Sequence, residues 1–268
     1  MPETPKGKIR VGIGGWTYEP WRGTFFPKGL TQKRELEYAA SKLTSIEVNG
    51  TYYGTLKPDT FAKWHDETPD DFVFALKGTR FITNRRVLAE AGESLEKFLT
   101  SGIVELKDKL GPLNWQFAPT KKFDPEDFEA FLKLLPKSIE GRKLQHALEV
   151  RNDSFKTPEF IALAKAYGAA VIISADADYT QIADPTAPFI YVRAMGTTET
   201  EPLGYSDAAL DQWARHIDTW AAGNTPEGLE TVTQPKAEKA GRDVFFYVIS
   251  GFKERNPASA MALLDRLK

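Results

Sequence analysis

The chain has 268 residues, of which 41% are hydrophobic and 27% charged, with a formal net charge of −2; these are the proportions of an ordinary globular protein. Near-neutrality removes any global electrostatic attraction to nucleic acid or to an acidic membrane. Cysteine is absent, which excludes disulfides, zinc–thiolate sites, iron–sulfur clusters and a cysteine nucleophile.

The opening MPETPKGK has no apolar signal core and reads as a flexible tail of eight residues. No run approaches the roughly 20 apolar residues that a membrane helix needs. The expectation is a soluble, cytoplasmic protein. IRVGIGG (Ile9–Gly15) reads as the first strand, followed by an aromatic loop and an amphipathic helix over TQKRELEYAASKL. SIEVN (Ser45–Asn49) is a second strand, and PDTFAKWHDE a helix with proline in its first turn. FVFALKG (Phe72–Gly78) and PLNWQFA (Pro112–Ala118) are the third and fourth strands, and DPEDFEAFLKLL a helix opened by aspartate and proline. HALEVR (His146–Arg151) is followed by TPEFIALAKAYG, a helix with threonine before it and glycine at its end. AAVIISAD (Ala169–Asp176) and FIYVRAMG (Phe189–Gly196) precede the long amphipathic segment SDAALDQWARHIDTWAA. A polar excursion over 223–242 with two prolines then leads to the last strand, DVFFYVIS (Asp243–Ser250).

Eight strands separated mostly by helices, with no internal repeat or linker, predict a single α/β domain: a (β/α)8 barrel of the TIM type with parallel strands. A doubly wound open sheet is the alternative. It would normally carry a glycine-rich phosphate turn, and GIGGWTYEPWRG does not follow the G-x-G-x-x-G spacing. No nucleotide-cofactor motif is therefore read.

In such a barrel the helices cover the outside, so the apolar parity of each strand faces outward and the other parity faces the lumen. Ile46 and Val48 go out, and Ser45, Glu47 and Asn49 go in. The same alternation turns inward Lys77, Asn114, Gln116, Glu149, Arg151, Ser174, Asp176, Tyr191 and Arg193, together with Gly12, Gly14 and Trp16. The last strand is apolar on both faces and its parity stays open. The inward charges cluster at the C-terminal strand ends, where barrel enzymes build their sites.

The motifs GIGGWTYEPWRGTFFPKGL, EVNGTYYGTLKPDTFAKW, FALKGTRFIT, LGPLNWQFAP, ALEVRNDSF, YVRAMG and YSDAALDQWA resemble, in order and over nearly the whole chain, those of the YecE-like family, catalogued as a domain of unknown function. The resemblance implies a TIM-type barrel and no particular activity. This chain departs from the family pattern at three places. Gly12-Ile13-Gly14-Gly15 stands where the family reads Gly-Thr-Ser-Gly. Asn84 replaces a histidine, and Val248-Ile249-Ser250 replaces Phe-Asn-Asn.

The chemistry expected of the mouth is acid/base work on a small anionic (phosphate or carboxylate) or sugar-like substrate, as in a hydrolase, isomerase or lyase. Glu47, Glu149 and Asp176 are the catalytic candidates, since one carboxyl in a drier place would carry a raised pKa while another stays ionised. A glycosidase pair is one form of this. Lys77, Arg80, Arg151 and Arg193 would hold an anion through charged donors. Trp16, Asn49, Tyr53 and Gln116 would complete the binding surface. Lys77 is also a candidate Schiff-base amine, although pairing with Glu47 or Asp176 would keep it protonated.

The lesser alternative is that three acids and three bases pair as a structural salt-bridge ring. His65, His146 and His216 lie away from the mouth, which argues against a histidine metal site. Mg²⁺ or Mn²⁺ on Glu47, Glu149 or Asp176 stays open. The partner expected is a small molecule, with no membrane. The alternatives are a non-catalytic binding barrel and a nucleic-acid-binding protein using the arginines and aromatics of the first loops. The sequence carries no signal for an oligomeric state.

Overall fold

The computed structural model of the chain describes residues 5–238 and 240–268. Its parallel strands are β1 (Ile9–Gly14), β2 (Ser45–Val48), β3 (Val73–Lys77), β4 (Leu110–Gln116), β5 (His146–Glu149), β6 (Ala170–Ala175), β7 (Phe189–Ala194) and β8 (Asp243–Val248). Each strand pairs with its sequence neighbours and β8 closes onto β1, with Val11 beside Phe246 and Ile13 beside Val248. Closure leaves no unpaired edge, and the fold is a (β/α)8 barrel.

The helices are α1 (Glu35–Lys42), α2 (Pro58–Asp66), α3 (Arg80–Thr83), α4 (Gly92–Leu99), α5 (Pro125–Leu134), α6 (Pro158–Tyr167), α7 (Asp207–Ala221) and α8 (Asn256–Arg266). Several start where the sequence predicts, because side chains take up backbone donors that the first turn leaves unpaired. Asp124 accepts from the Asp127 amide, Thr157 from Phe160 and Ser206 from Ala209. Gly168, at φ 64°, closes α6 in the left-handed conformation. No helix among the described residues is long and apolar enough to cross a membrane.

The alternation of the strands sorts two cores. Val11, Ile13, Ile46, Val48, Phe74, Leu76, Trp115, Leu148, Ile173 and Val192 face the helices. Ala75, Ala147, Ile172, Phe189, Tyr191, Phe245 and Tyr247 fill the lumen. The parity left open for the last strand is thereby resolved: Phe245 and Tyr247 point in, Val244, Phe246 and Val248 out. The lumen is filled unevenly, by small alanines on β3 and β5 and by tilted or edge-on aromatic pairs on β7 and β8. Gly12 allows β1 and β2 to approach closely, for a Cβ there would lie 1.9 Å from the Ser45 carbonyl oxygen.

Three regions add to the expected outline. No helix connects β6 to β7; instead residues 176–188 form a loop. The polar excursion folds back onto it, since the buried Asp184 accepts from the Val232 and Thr233 amides and from the Thr233 hydroxyl. Of the expected N-terminal tail, residues 1–4 lie outside the described residues, while Gly7 donates to the Ala221 carbonyl and Lys8 to Asp243. A short hairpin pairing Ser138–Ile139 with Arg142–Lys143, not anticipated, precedes β5.

Candidate active site at the barrel mouth

Above the aromatic filling sits a layer of charge. Glu47 on β2 and Glu149 on β5 are both 0% exposed. Arg193 on β7 bridges them: its Nε and Nη2 donate to the two carboxylate oxygens of Glu47 at 3.1 Å each, and its Nη1 donates to Glu149 Oε1 at 2.7 Å. This forked geometry is the strong form of a guanidinium–carboxylate contact. Tyr191, one layer below, donates its hydroxyl to Glu47 Oε2 at 2.6 Å. Arg151 donates twice to Glu149 Oε1, at 3.0 and 2.6 Å, and once to Gln116 Oε1 at 3.0 Å. The Arg151 guanidinium also lies 4.1 Å from the centre of the Tyr179 ring.

Burial alone would push the Glu149 carboxyl up, but the positive charges of Arg193, Arg151 and Lys77 outweigh it and hold the pKa below the usual carboxylate range. Burial likewise opposes the Arg193 charge, and Glu149 and Glu47 overcome it, so the guanidinium pKa is raised. Burial, reinforced by Glu47, raises that of Tyr191 well above the ordinary phenol. The expectation that one glutamate carries a raised pKa is thus not met at Glu149, which stands ionised.

Lys77 at the end of β3 differs from its neighbours. It is 8% exposed, yet among the described residues its ammonium makes no hydrogen bond and no ion pair. It lies 4.5 Å from the centre of the Tyr52 ring. Burial, and then the nearby Arg193 charge, lower its pKa from the ordinary 10.5 to about 8, against the opposing pull of Glu47 and Glu149. Pairing of Lys77 with Glu47 or Asp176 is therefore absent.

Two further atoms of this layer are buried without a partner: Asn114 Oδ1 and Ser174 Oγ. Asn114 stands beside Lys77 in the β3–β4 register and Ser174 beside Arg193 in that of β6–β7. Buried polar atoms are seldom left so. Asn49 reaches over Gly14, where a Cβ would lie 3.1 Å from its Nδ2 and 3.5 Å from Ile249.

Other predicted residues stand apart. Trp16 leaves the lumen, because Gly15 at φ 73° breaks the strand alternation. Its ring packs edge-on against Trp64 of α2 at 5.0 Å and against Phe74, under the helices. Asp176 is not turned into the mouth either. β6 ends at Ala175, Asp176 takes a left-handed φ of 55°, and its exposed carboxylate accepts from the Tyr205 hydroxyl at 3.0 Å. It latches two loops together. Tyr53 is 68% exposed, and the exposed Arg80 stacks on Phe81. Neither touches the charged layer.

Sequence parity had placed Tyr191, Asn114 and Ser174 inside without marking them as functional. Tyr179, in a loop that has no period, left no signal. His146 is structural: Trp115 Nε1 donates to its Nδ1 at 3.1 Å and its Nε2 meets the Pro136 carbonyl at 2.8 Å.

No group of three histidine, aspartate or glutamate side chains that could hold a metal ion occurs among the described residues. Glu47 and Glu149 are both engaged by guanidinium groups. A polar hollow of about 580 Å³ opens beside the mouth, lined by Arg151, Asp153, Lys156, Tyr179 and Glu230 among others. A larger one, about 640 Å³, lies at the opposite end of the barrel against Leu144, His146 and Phe189, away from these groups.

The sequence profile of the family described as "Protein of unknown function DUF72" matches residues 10–268. The UPF0759 protein YecE of Escherichia coli K12 is 28% identical over 147 residues, 55% of this chain and 50% of YecE. The match therefore spans about half the length of that relative. The UPF0759 protein YunF of Bacillus subtilis is 24% identical over 78% of this chain and 83% of its own. Among solved structures, a DUF72 family protein of Thermotoga maritima superimposes with a TM-score of 0.72 at 18% identity, covering 97% of this chain and 99% of that one. A xylose isomerase-like TIM barrel fused to a 4-hydroxyphenylpyruvate dioxygenase gives 0.51 at 14% identity, over 94% of this chain and 41% of the fusion. At such identities these structures are similar in fold alone.

Proposed function

This chain belongs to the DUF72 family, and from its mouth we propose that it is an enzyme that binds a small carboxylate or phosphate at the C-terminal end of the barrel and acts on it by acid/base chemistry. One observation carries the reading. Lys77, Arg151 and Arg193 face Glu47 and Glu149, three cations against two carboxylates, and the surplus cation is the unpaired Lys77. A structural ring would gain nothing from that surplus, since Lys77 is largely desolvated and has Arg193 and Arg151 beside it, both of which disfavour its charge. A bound anion offsets it.

In this reading Glu47 and Glu149 are the counter-ions that fix Arg193 and Arg151. Arg193 gives one N–H from each of its three nitrogens to the two carboxylates. Arg151 keeps Nη1 for a ligand, beside the polar hollow. Lys77 is the group able to give and take a proton near neutral pH, as acid/base catalysis requires. A glycosidase pair is less well supported, because Glu149 is held ionised and neither glutamate faces solvent.

The test is a thermal-shift screen of the purified protein against malonate, inorganic phosphate, sugar phosphates and neutral sugars, followed by turnover assays on each hit. A ligand at about 100 times its dissociation constant adds roughly 2.7 kcal/mol, enough to move the midpoint by several degrees. Shifts by anions that disappear in Arg151→Ala, with turnover lost in Lys77→Met, are the expected result. Shifts by neutral sugars alone overturn the anion, and tight anion binding without any product leaves a binding barrel in place of an enzyme.

A further inference from the structure

We propose that Lys77 is a reactive amine that forms an imine with a small anionic aldehyde or ketone bound in the mouth. The inference rests on the anion-binding reading above and names the chemistry that reading leaves open.

The geometry carries it. The other buried lysine among the described residues is bonded. Lys109 at the other end of the barrel donates to the carbonyls of His65 and Thr68, at 2.5 and 2.7 Å. Lys77 is also buried and has no such partner among the described residues. Its stem is fixed by the end of β3, and its nitrogen stands over the Tyr52 ring at 4.5 Å. The charged groups facing it are Arg193 from β7, Glu47 from β2, and Glu149 and Arg151 from β5 and the residues after it. None of the four bonds it. Burial, and then the Arg193 and Arg151 charges, disfavour the ammonium more than Glu47 and Glu149 favour it, which leaves a fraction of the amine neutral and nucleophilic. With a pKa of about 8, roughly a tenth of the amine is neutral at pH 7, against well under a thousandth for an ordinary lysine.

The surroundings suit the intermediate as well. Asn114 Oδ1 and Ser174 Oγ are the unpartnered buried polar atoms of this layer. Asn114 adjoins Lys77 in register. Both are closed to solvent, so they bond a hydroxyl formed on the substrate carbon only once the bound substrate parts this layer. Arg151 would hold the carboxylate or phosphate at the rim.

The step balances simply. The amine lone pair attacks the carbonyl carbon, and an amine proton moves to the oxygen to give a carbinolamine. Uptake of one proton from solvent lets the hydroxyl leave as water while the nitrogen lone pair closes the C=N bond. The product is a protonated imine, so one proton is consumed and one water released per neutral amine. The positive charge that Glu47 and Glu149 face is thereby restored.

The experiment treats the full-length wild-type chain with sodium cyanoborohydride and, in separate arms, pyruvate, glyoxylate and neutral glycolaldehyde, and maps adducts by peptide mass spectrometry. The expected result is reduced pyruvate or glyoxylate adduct on Lys77 at least about tenfold faster than on exposed lysines such as Lys28 and Lys57 at pH 7. The rate at Lys77 should level off above pH 8, while that at the exposed lysines keeps rising. Lys77→Arg should lose this adduct and no other. Labelling of Lys77 no faster than Lys28 by any carbonyl overturns the imine; if malonate still raises the melting temperature, the anion-binding reading survives that failure. Equal labelling of Lys77 by glycolaldehyde and pyruvate keeps the imine and removes the anion instead.

Discussion

The two ends of the barrel bury polar groups on opposite terms. At the N-terminal end, Lys109 is capped by carbonyls, Arg10 is paired with Asp71, and both nitrogens of His146 are engaged. At the C-terminal end, Glu47, Glu149 and Arg193 are equally well bonded, but Lys77, Asn114 Oδ1 and Ser174 Oγ are not. Residue types are similar at the two ends and satisfaction is the main difference; the exception is Arg242 just before β8, whose Nη2 pairs with Glu238 while its buried Nε has no partner among the described residues. Folding selects the first arrangement, because each unmade bond to a buried group costs about 1–3 kcal/mol. The second arrangement carries a cost to stability, and in the proposed reading a bound polar ligand offsets it.

The comparison breaks most sharply at Arg193. Arg193→Met leaves two buried carboxylates facing each other without their bridge. Removing one partner of a buried pair costs about 3–5 kcal/mol, so the midpoint should fall by roughly 6–20 °C in thermal denaturation. A fall of under 2 °C would mean that the mouth is wetter and looser than its geometry. The loss should be smaller at low pH, where Glu149, no longer held by Arg193, can take up a proton. Glu149, whose pKa is lowered in the folded protein, contributes stability above its unfolded value that is lost as pH falls through the folded one.

The two buried lysines should move in opposite directions. Lys77 has its pKa lowered to about 8, so between that value and its ordinary 10.5 the unfolded chain binds more protons than the folded one. Stability therefore rises with pH across this window. Lys77→Met, which keeps the stem and removes the charge, should stabilise the protein at pH 7 by on the order of 2–3 kcal/mol. The gain should shrink from pH 8 upward and vanish near 10.5. Lys109→Met, which strips its carbonyls of a donor, should instead destabilise by about 1–3 kcal/mol. Denaturant titrations at pH 7 and pH 10 separate the two. Equal signs would dissolve the contrast between the ends.

The finest comparison is between two serines of the lumen. Ser45 Oγ meets the Val73 carbonyl at 2.6 Å and the Tyr247 hydroxyl at 2.7 Å, whereas Ser174 Oγ has no partner among the described residues. Ser45→Ala should cost about 1 kcal/mol, and Ser174→Ala should be neutral or slightly stabilising. Chemical denaturation resolves a difference of that size, and a loss in Ser174→Ala equal to that in Ser45→Ala would count against an unfilled hydroxyl.

Much of this was legible in the chain because a strand has period two and a closed barrel has two faces. Ile46 and Val48 against Ser45 and Glu47 give the orientation of β2 without coordinates, and the same rule puts Lys77, Gln116, Glu149 and Arg193 in one ring. The rule failed where the backbone leaves the extended region. Gly15 and Asp176 both take positive φ, so Trp16 went under the helices and Asp176 out to Tyr205. It was silent on β8, where both faces are apolar and only closure against β1 and β7 decides that Tyr247 points in. The sequence by itself determined the barrel and which charges share its mouth, since those follow from local periodicity. Which of those charges neutralise one another, and that Lys77 is the one left over, was decided by tertiary structure alone, because pairing depends on distances of a few ångströms between strands far apart in the chain.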